Sequence, residues 1–247
     1  MLFSPQILVG NQPRVVAAGG LGLQTNLTGF WSFENTSWTD DTGNGTTLTA
    51  TGSPTSSSTA PTIVGNYLGL PGSAYLSAAN NTNINAGGGS FSIQAWVYVN
   101  AGSVTDGYFN KGTSGFGNQE WGLGSRFTSA NVFSFSVFDS SSNGTRAEDT
   151  VATTTSTWVH LVATFDSGTK GMVLYKNGSS VGTATASAAL NSTTNAINVG
   201  QGGFGGAGLA SGYRIDQCGF WKGRILSASD VTALYNSGSG LSYAAMA

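Results

Sequence analysis

Residues 158–186 read WVHLVATFDSGTKGMVLYKNGSSVGTATA, and the fold follows from them. Val159, Leu161, Ala163 and Phe165 alternate with Trp158, His160 and Thr164, the period of two expected of a strand buried on one face. Asp166 to Lys170 is a polar break of turn-forming residues, and Met172 to Lys176 is a second short strand. Asn177-Gly178 follows, a pair that tolerates the positive φ angles of a two-residue type I′ turn, so the chain is expected to reverse and pair again over Ser179 to Ala186. The stretch predicts a three-strand antiparallel meander.

Outward from this meander the same signals recur at intervals of about ten residues. The clearest is Phe91 to Val99, with Phe91, Ile93, Ala95, Val97 and Val99 on one side and Ser92, Gln94, Trp96 and Tyr98 on the other. The strands begin at Gly29, and further ones are expected near Thr46 to Thr51, Tyr67 to Leu70, Ala74 to Leu76, Gly107 to Lys111, Glu120 to Gly124, Val132 to Phe138, Ile197 to Val199 and Tyr213 to Trp221. Pro54 to Pro61 reads as a loop, and Thr150 to Thr157 as a threonine-rich approach to the meander. Ser227 and Asp230 form a capping-box pattern ahead of Val231, Leu234 and Tyr235, predicting one short helix over about 228–236, ended by Gly238 and Gly240. The fold class is therefore all-β: a two-sheet antiparallel β-sandwich with one short C-terminal helix. Residues 27–240 are assigned to the sandwich, 1–26 to an N-terminal arm with patches such as Ile7-Leu8-Val9 and Val15-Val16, and 241–247 to a C-terminal tail.

Four segments in order carry a resemblance over about residues 27–238. They are Gly29 to Glu34 with Asp41 to Gly45, Phe91 to Val97, Trp158 to Asp166 with Leu174 to Gly178, and Arg214 to Asp216 with Leu226 to Tyr235. Together they resemble the laminin-G-like, or concanavalin A-like, lectin/glucanase superfamily. The resemblance implies a jelly roll with one curved, concave sheet. It also implies a structural calcium ion held away from that sheet by Glu34, the Gly45 carbonyl and Asp216, with Asp41 and Asn44 beside them. Hard oxygen ligands suit Ca²⁺, although Glu34 stands where the family more commonly has Asp. The fold hosts lectins, adhesion modules and glycanases, so it does not by itself choose among them.

Composition narrows the classes. Only 8% of the 247 residues are charged and the net charge is −2, which leaves no basic footprint for nucleic acid. No apolar run is long enough to span a bilayer, and no Sec-type signal pattern opens the chain. Cys218 is the single cysteine, so there is no disulfide framework, and it reads as a buried, inert thiol sharing a face with Asp216 and Phe220.

Retaining glycoside hydrolysis needs two carboxyl groups about 5 Å apart, which alternate strand positions would supply. The acids of this chain do not fall in that pattern. Asp40-Asp41 and Glu148-Asp149 are adjacent and would point to opposite faces of a strand, while Glu34, Glu120 and Asp216 are isolated. His160, the one histidine, lacks a nucleophile elbow and is assigned no catalytic role. The aromatic residues Trp96, Tyr98 and Trp121 are the candidate glycan-binding residues, because flat rings beside Asn and Gln amides suit sugars. Packing within a sandwich is the other use of such rings. Phe116 and Phe127 also lie in or beside Gly-rich loops.

The reading is a non-catalytic surface module, with no enzyme activity, that decorates a virion such as a bacteriophage or forms part of its fibres. Its expected partners are capsid or other particle subunits, met through the N-terminal arm, and a cell-surface or extracellular glycan bound weakly. The alternative is a free extracellular calcium-dependent lectin, with a glycoside hydrolase ranked behind both.

Overall fold

A computed structural model describes residues 20–100, 107–113, 118–126, 131–201 and 208–247. In chain order the first strands are β1 (Leu27–Trp31), β2 (Thr49–Thr51), β3 (Thr55–Ser57), β4 (Tyr67–Leu70), β5 (Tyr75–Ala78) and β6 (Phe91–Tyr98). The middle of the chain gives β7 (Gly107–Gly112), β8 (Gln119–Arg126), β9 (Val132–Phe138) and β10 (Gly144–Ala152). Then come β11 (Trp158–Phe165), β12 (Gly171–Lys176), β13 (Ser179–Thr185), β14 (Ile197–Val199), β15 (Tyr213–Lys222) and the helix α1 (Ala228–Tyr235). They form two antiparallel sheets. One has eight strands in the order β13-β12-β11-β6-β15-β4-β3, with β1 also paired to β15. The other has seven, in the order β10-β9-β8-β7-β14-β5-β2.

The meander is present as expected. β11 pairs with β12 from Leu161↔Lys176 to Phe165↔Met172, and β12 with β13 from Gly171↔Thr185 to Lys176↔Ser179. Asn177 and Gly178 have φ of 50° and 83°, the two positive angles that a type I′ turn requires. Between the sheets, Phe91 of β6 packs on Phe165 and Phe220 of its own sheet and on Trp121 and Phe135 of the other, with ring centroids 5.7–6.0 Å apart. The inward side chains of both sheets interdigitate here, as in other aligned sandwiches.

Two strands were not foreseen. β3 lies inside the expected Pro54–Pro61 loop and pairs Thr55↔Gly69 through Ser57↔Tyr67. β10 runs into the expected Thr150–Thr157 approach and pairs with β9, with Ala147 the one apolar residue it buries. Both are held by ladder bonds to a neighbour rather than by an apolar face of their own, so neither shows a period of two.

A third correction concerns β15. Gln217 has φ of 48° and the ladder shifts register between Asp216 and Gly219. This β-bulge re-phases the strand. Ile215, Cys218 and Phe220 join the inter-sheet core, whereas Asp216 stands in register with outward-facing Trp96, so Cys218 and Asp216 do not share a face. The Cys218 thiol is fully buried, which pushes its pKa well above the usual value, with the Asp216 charge adding to the effect.

A second apolar cluster covers part of the outer face of the eight-stranded sheet. Leu27, Val162 and Trp221 of the sheet meet Leu226, Val231 and Leu234 around α1, together with Leu23 and Met246. The capping box is formed: Ser227 accepts from Asp230 N, and the Asp230 carboxylate accepts from Ser227 N at 2.9 Å. Asn236, with φ of 46°, ends the helix ahead of Gly238 and Gly240. Leu23 N–H donates to Met246 O at 3.0 Å, and Trp221 Nε1 donates to Leu23 O at 2.6 Å. The folded unit therefore reaches from about residue 20 to the last residues, taking in part of the expected arm and the expected tail. The arm's apolar patches, Ile7 to Val9 and Val15-Val16, lie outside the described residues. Among the described residues, no helix is long and apolar enough to cross a membrane.

Candidate functional site

Four adjacent strands of the eight-stranded sheet bring one row of residues into register. Gly69 of β4 faces Arg214 of β15, Arg214 faces Tyr98 of β6, and Tyr98 faces Trp158 of β11. Their chain neighbours Leu68, Ile215, Val97 and Val159 all lie in the inter-sheet core, so the row itself faces outward.

Arg214 is clasped there by aromatic rings. Its guanidinium carbon lies 4.8 Å from the Tyr67 ring centre and 4.7 Å from that of Tyr98. Trp158 packs edge-on against both tyrosines, each at 5.8 Å. The loop after β3 closes one side. Arg214 Nη1 donates to Thr59 O at 3.1 Å and to Pro61 O at 2.9 Å, and Trp158 Nε1 donates to Pro61 O at 3.0 Å.

Beyond this loop the row opens into a cleft of about 340 Å³, lined by Tyr67, Tyr98, Asn100, Ser211, Arg214 and Thr55 among others. That volume lies at the low end of the range of small-molecule sites. Glycine at 69 keeps the floor low, because a Cβ there would sit 2.7 Å from Thr55 Oγ1. Asn100 is held at the rim by donating from Nδ2 to Ser211 O at 3.1 Å. The cleft thus combines the edge of an aromatic cluster, one cation, and amide and hydroxyl groups.

Of the three expected glycan-binding residues, Tyr98 lies in this cleft and the other two do not. Trp96 sits two residues along the same outward face, but α1 lies over it. It stacks against His160, at 4.8 Å, and Tyr235, at 5.8 Å, and is 1% exposed. Trp121 is fully buried between the sheets, with Phe109 at 5.1 Å and Phe220 at 5.7 Å. Neither ring offers a face to a sugar. Phe116 and Phe127 lie outside the described residues. Arg214, Tyr67 and Asn100 were not singled out as a site in the sequence. Alternation along β15 would have put Arg214 on the side of Cys218 and Phe220, and the bulge at Gln217 is what turns it outward beside Tyr98.

The expected calcium ligands are assembled only in part. Asp216 is fully buried, its carboxylate accepting from Gln217 N at 2.7 Å and from Val64 N at 3.5 Å. Burial raises its pKa well above the usual carboxylate value, and the nearby Glu34 charge raises it further. Glu34 in turn accepts from Asn66 N at 3.0 Å, so both carboxylates are held by the segment around Val64–Asn66. Gly45 is tied elsewhere. Its carbonyl accepts from Thr47 N at 3.1 Å, and neighbouring Asn44 bonds Thr28 O and the Asn83 side chain. Thr28 is at the opposite end of β1 from Glu34. No group of three acidic, histidine or cysteine residues suited to a metal occurs among the described residues. Glu34 and Asp216 are thus a neighbouring carboxylate pair that a hard cation would relieve.

The remaining isolated acid, Glu120, is fully buried and pairs with buried Lys111 at 3.0 Å. It also accepts from Thr193 N at 3.0 Å. Burial lowers the Lys111 pKa against the opposing effect of Glu120.

Comparison with known proteins bears on the fold. The binding domain of Paraclostridial Mosquitocidal Protein 1 superposes with a TM-score of 0.69 at 18% identity, covering 87% of this chain and 53% of that one. The ligand binding domain of botulinum neurotoxin serotype D, solved with N-acetylneuraminic acid, gives 0.69 at 15% identity, covering 88% and 52%. Domain 4 of AbnA, a GH43 extracellular arabinanase from Geobacillus stearothermophilus solved with arabinotriose, gives 0.65 at 17% identity, covering 84% and 97%. This chain thus spans about half the length of the toxin binding domains and nearly all of the arabinanase domain. No curated protein matches the sequence. Residues 70–232, about two thirds of the chain, match the family described as the concanavalin A-like lectin/glucanases superfamily. With the two antiparallel sheets of the jelly roll, this makes the chain a member of the concanavalin A-like lectin/glucanase superfamily.

Proposed function

We propose that this chain is a non-catalytic glycan-recognition module whose ligand occupies the cleft over Tyr98. The observation that carries the reading is the cleft itself. A partly exposed tyrosine, the Asn100 amide and the hydroxyls of Thr55 and Ser211 converge on a sugar-sized space. Aromatic rings take up the C–H faces of a pyranose or furanose, and amides and hydroxyls bond its hydroxyl groups. The arabinanase domain and the serotype D domain were each solved with a sugar, which supports a sugar ligand for a chain of the same fold. A non-catalytic role is supported by a cleft lined by no acid among the described residues and by the burial of two of the isolated acids. Asp216 and Glu120 are fully covered, so a glycosidic oxygen has no route to either carboxylate.

The proposed setting is the surface of a virion or similar particle, where many copies of a weak site raise avidity without new contacts. The support for it is a composition rich in Gly and uncharged polar residues and poor in charge. Imaging of native assemblies, with the chain labelled, tests that setting; a chain found only free in solution refutes it.

A glycan array at high protein density, repeated with Tyr98→Ala, tests the binding role. The expected result is one ligand class bound by the parent chain and lost from a variant that keeps the parent's circular dichroism. An array on which nothing binds, or on which Tyr98→Ala binds as well as the parent, overturns the proposal.

A further inference from the structure

Building on that glycan reading, we infer that the cleft selects an acidic sugar, one carrying a carboxylate that pairs with the free edge of the Arg214 guanidinium. The two ring contacts, at 4.8 and 4.7 Å, lay Tyr67 and Tyr98 against the guanidinium. Its donors can be satisfied only in its own plane. Nη1 spends both of its N–H groups on Thr59 O and Pro61 O. The Nη2 and Nε donors have no acceptor among the described residues, and Arg214 lines the cleft.

A planar fork with a fixed orientation and free parallel N–H groups matches a carboxylate in bidentate geometry. The loop carbonyls and flanking rings fix that orientation before a ligand arrives, so little rotamer entropy remains to be lost on binding. Among the described residues, the lining includes no Asp or Glu that would compete for the cation or repel an anion. The nearest acid along β15, Asp216, is buried against Val64 N and Gln217 N instead. A neutral sugar would leave the guanidinium edge facing hydroxyls alone, which accept more weakly than a carboxylate.

Two sources of the carboxylate, a uronic acid and a sialic acid, share this chemistry and are separated by the probes. Binding is measured by calorimetry or affinity electrophoresis at low salt. The probes are polygalacturonate against its fully methyl-esterified form, and sialyllactose against its carboxyl methyl ester. Within each pair the comparison isolates the acidic group. The expected result is that one acid is bound about ten- to a hundredfold more tightly than its neutral partner, with the preference reduced by added salt. Arg214→Gln is expected to abolish the preference, and Arg214→Lys to restore only part of it. If Arg214→Gln fails to fold, the parent's acid-to-neutral ratio in each pair still decides the matter.

Equal binding of both members of a pair overturns this inference and leaves the glycan reading standing. Binding of neutral sugars alone does the same. No ligand among these probes or on the array overturns the glycan reading as well.

Discussion

Lowering the pH from 7 to 5 is expected to cost the folded chain about 2 kcal/mol through His160 alone. The ring is fully buried, stacked on Trp96 at 4.8 Å and Tyr235 at 6.1 Å, and its Nδ1 has no hydrogen-bond partner among the described residues. Nε2 lies 3.3 Å from Gln94 Oε1, an arrangement that suits the neutral tautomer with its proton on Nε2. Burial lowers the pKa to about 3, against 6.5 for the exposed side chain. The sign follows from linkage. A histidine that stays neutral in the fold but takes up a proton when unfolded adds stability above pH 6.5, and that stability is lost as pH falls toward 3. With one proton bound only by the unfolded chain, the slope is about 1.4 kcal/mol per pH unit once the pH is below 6.5. The loss between pH 7 and pH 5 scarcely depends on the folded value, provided that value lies below about 4. Urea unfolding of the parent and of His160→Gln at both pH values isolates the effect, because the carboxylates titrate alike in the two proteins. The parent should lose about 2 kcal/mol more than the variant. Parallel losses in the two would show that His160 is protonated in the fold, and that the stack beneath α1 is wrongly described.

Three further outcomes are expected. If a cation such as calcium sits between Glu34 and Asp216, its addition should raise the melting temperature and EDTA should reverse the rise. An ion at a hundred times its Kd contributes about 2.7 kcal/mol, at roughly 2–4 °C per kcal/mol for a chain of this size. Asp216→Asn should remove the response, and identical melting with calcium and with EDTA would dismiss the ion. Leu23→Ala should destabilise by about 2–5 kcal/mol in denaturant titration, as expected for a buried leucine; a loss below 0.5 kcal/mol would return residues 20–26 to a dispensable arm. Ser227→Ala should cost about 1 kcal/mol by removing the cap on α1, and an unchanged midpoint would mean that the cap bond is replaced by solvent.

Local patterns in the sequence determined much of this protein. The alternation of Val159 to Phe165, the Asn177-Gly178 turn and the Ser227–Asp230 capping box each specify a conformation through neighbours a few residues away, and each stands in the structure as read. The outward placement of Trp96 and Tyr98 was legible for the same reason. What the alternation does not carry is the identity of whatever covers an outward face. Tyr235, far along the chain, closes over Trp96, while Tyr98 is left beside an open cleft. Likewise, one residue in a left-handed conformation at Gln217 re-phases β15, turning Asp216 outward and Cys218 inward. β3 and β10 pair with the strands next to them in sequence but bury almost no apolar side chain, so alternation did not mark them, and Leu23 is buried only because Trp221 and Met246 meet it from the other end of the chain. Arg214 became part of a site in the same way. Tyr67, Tyr98, Thr59 and Pro61 reach it from separate parts of the chain, so only the packed sheet could join them around one guanidinium.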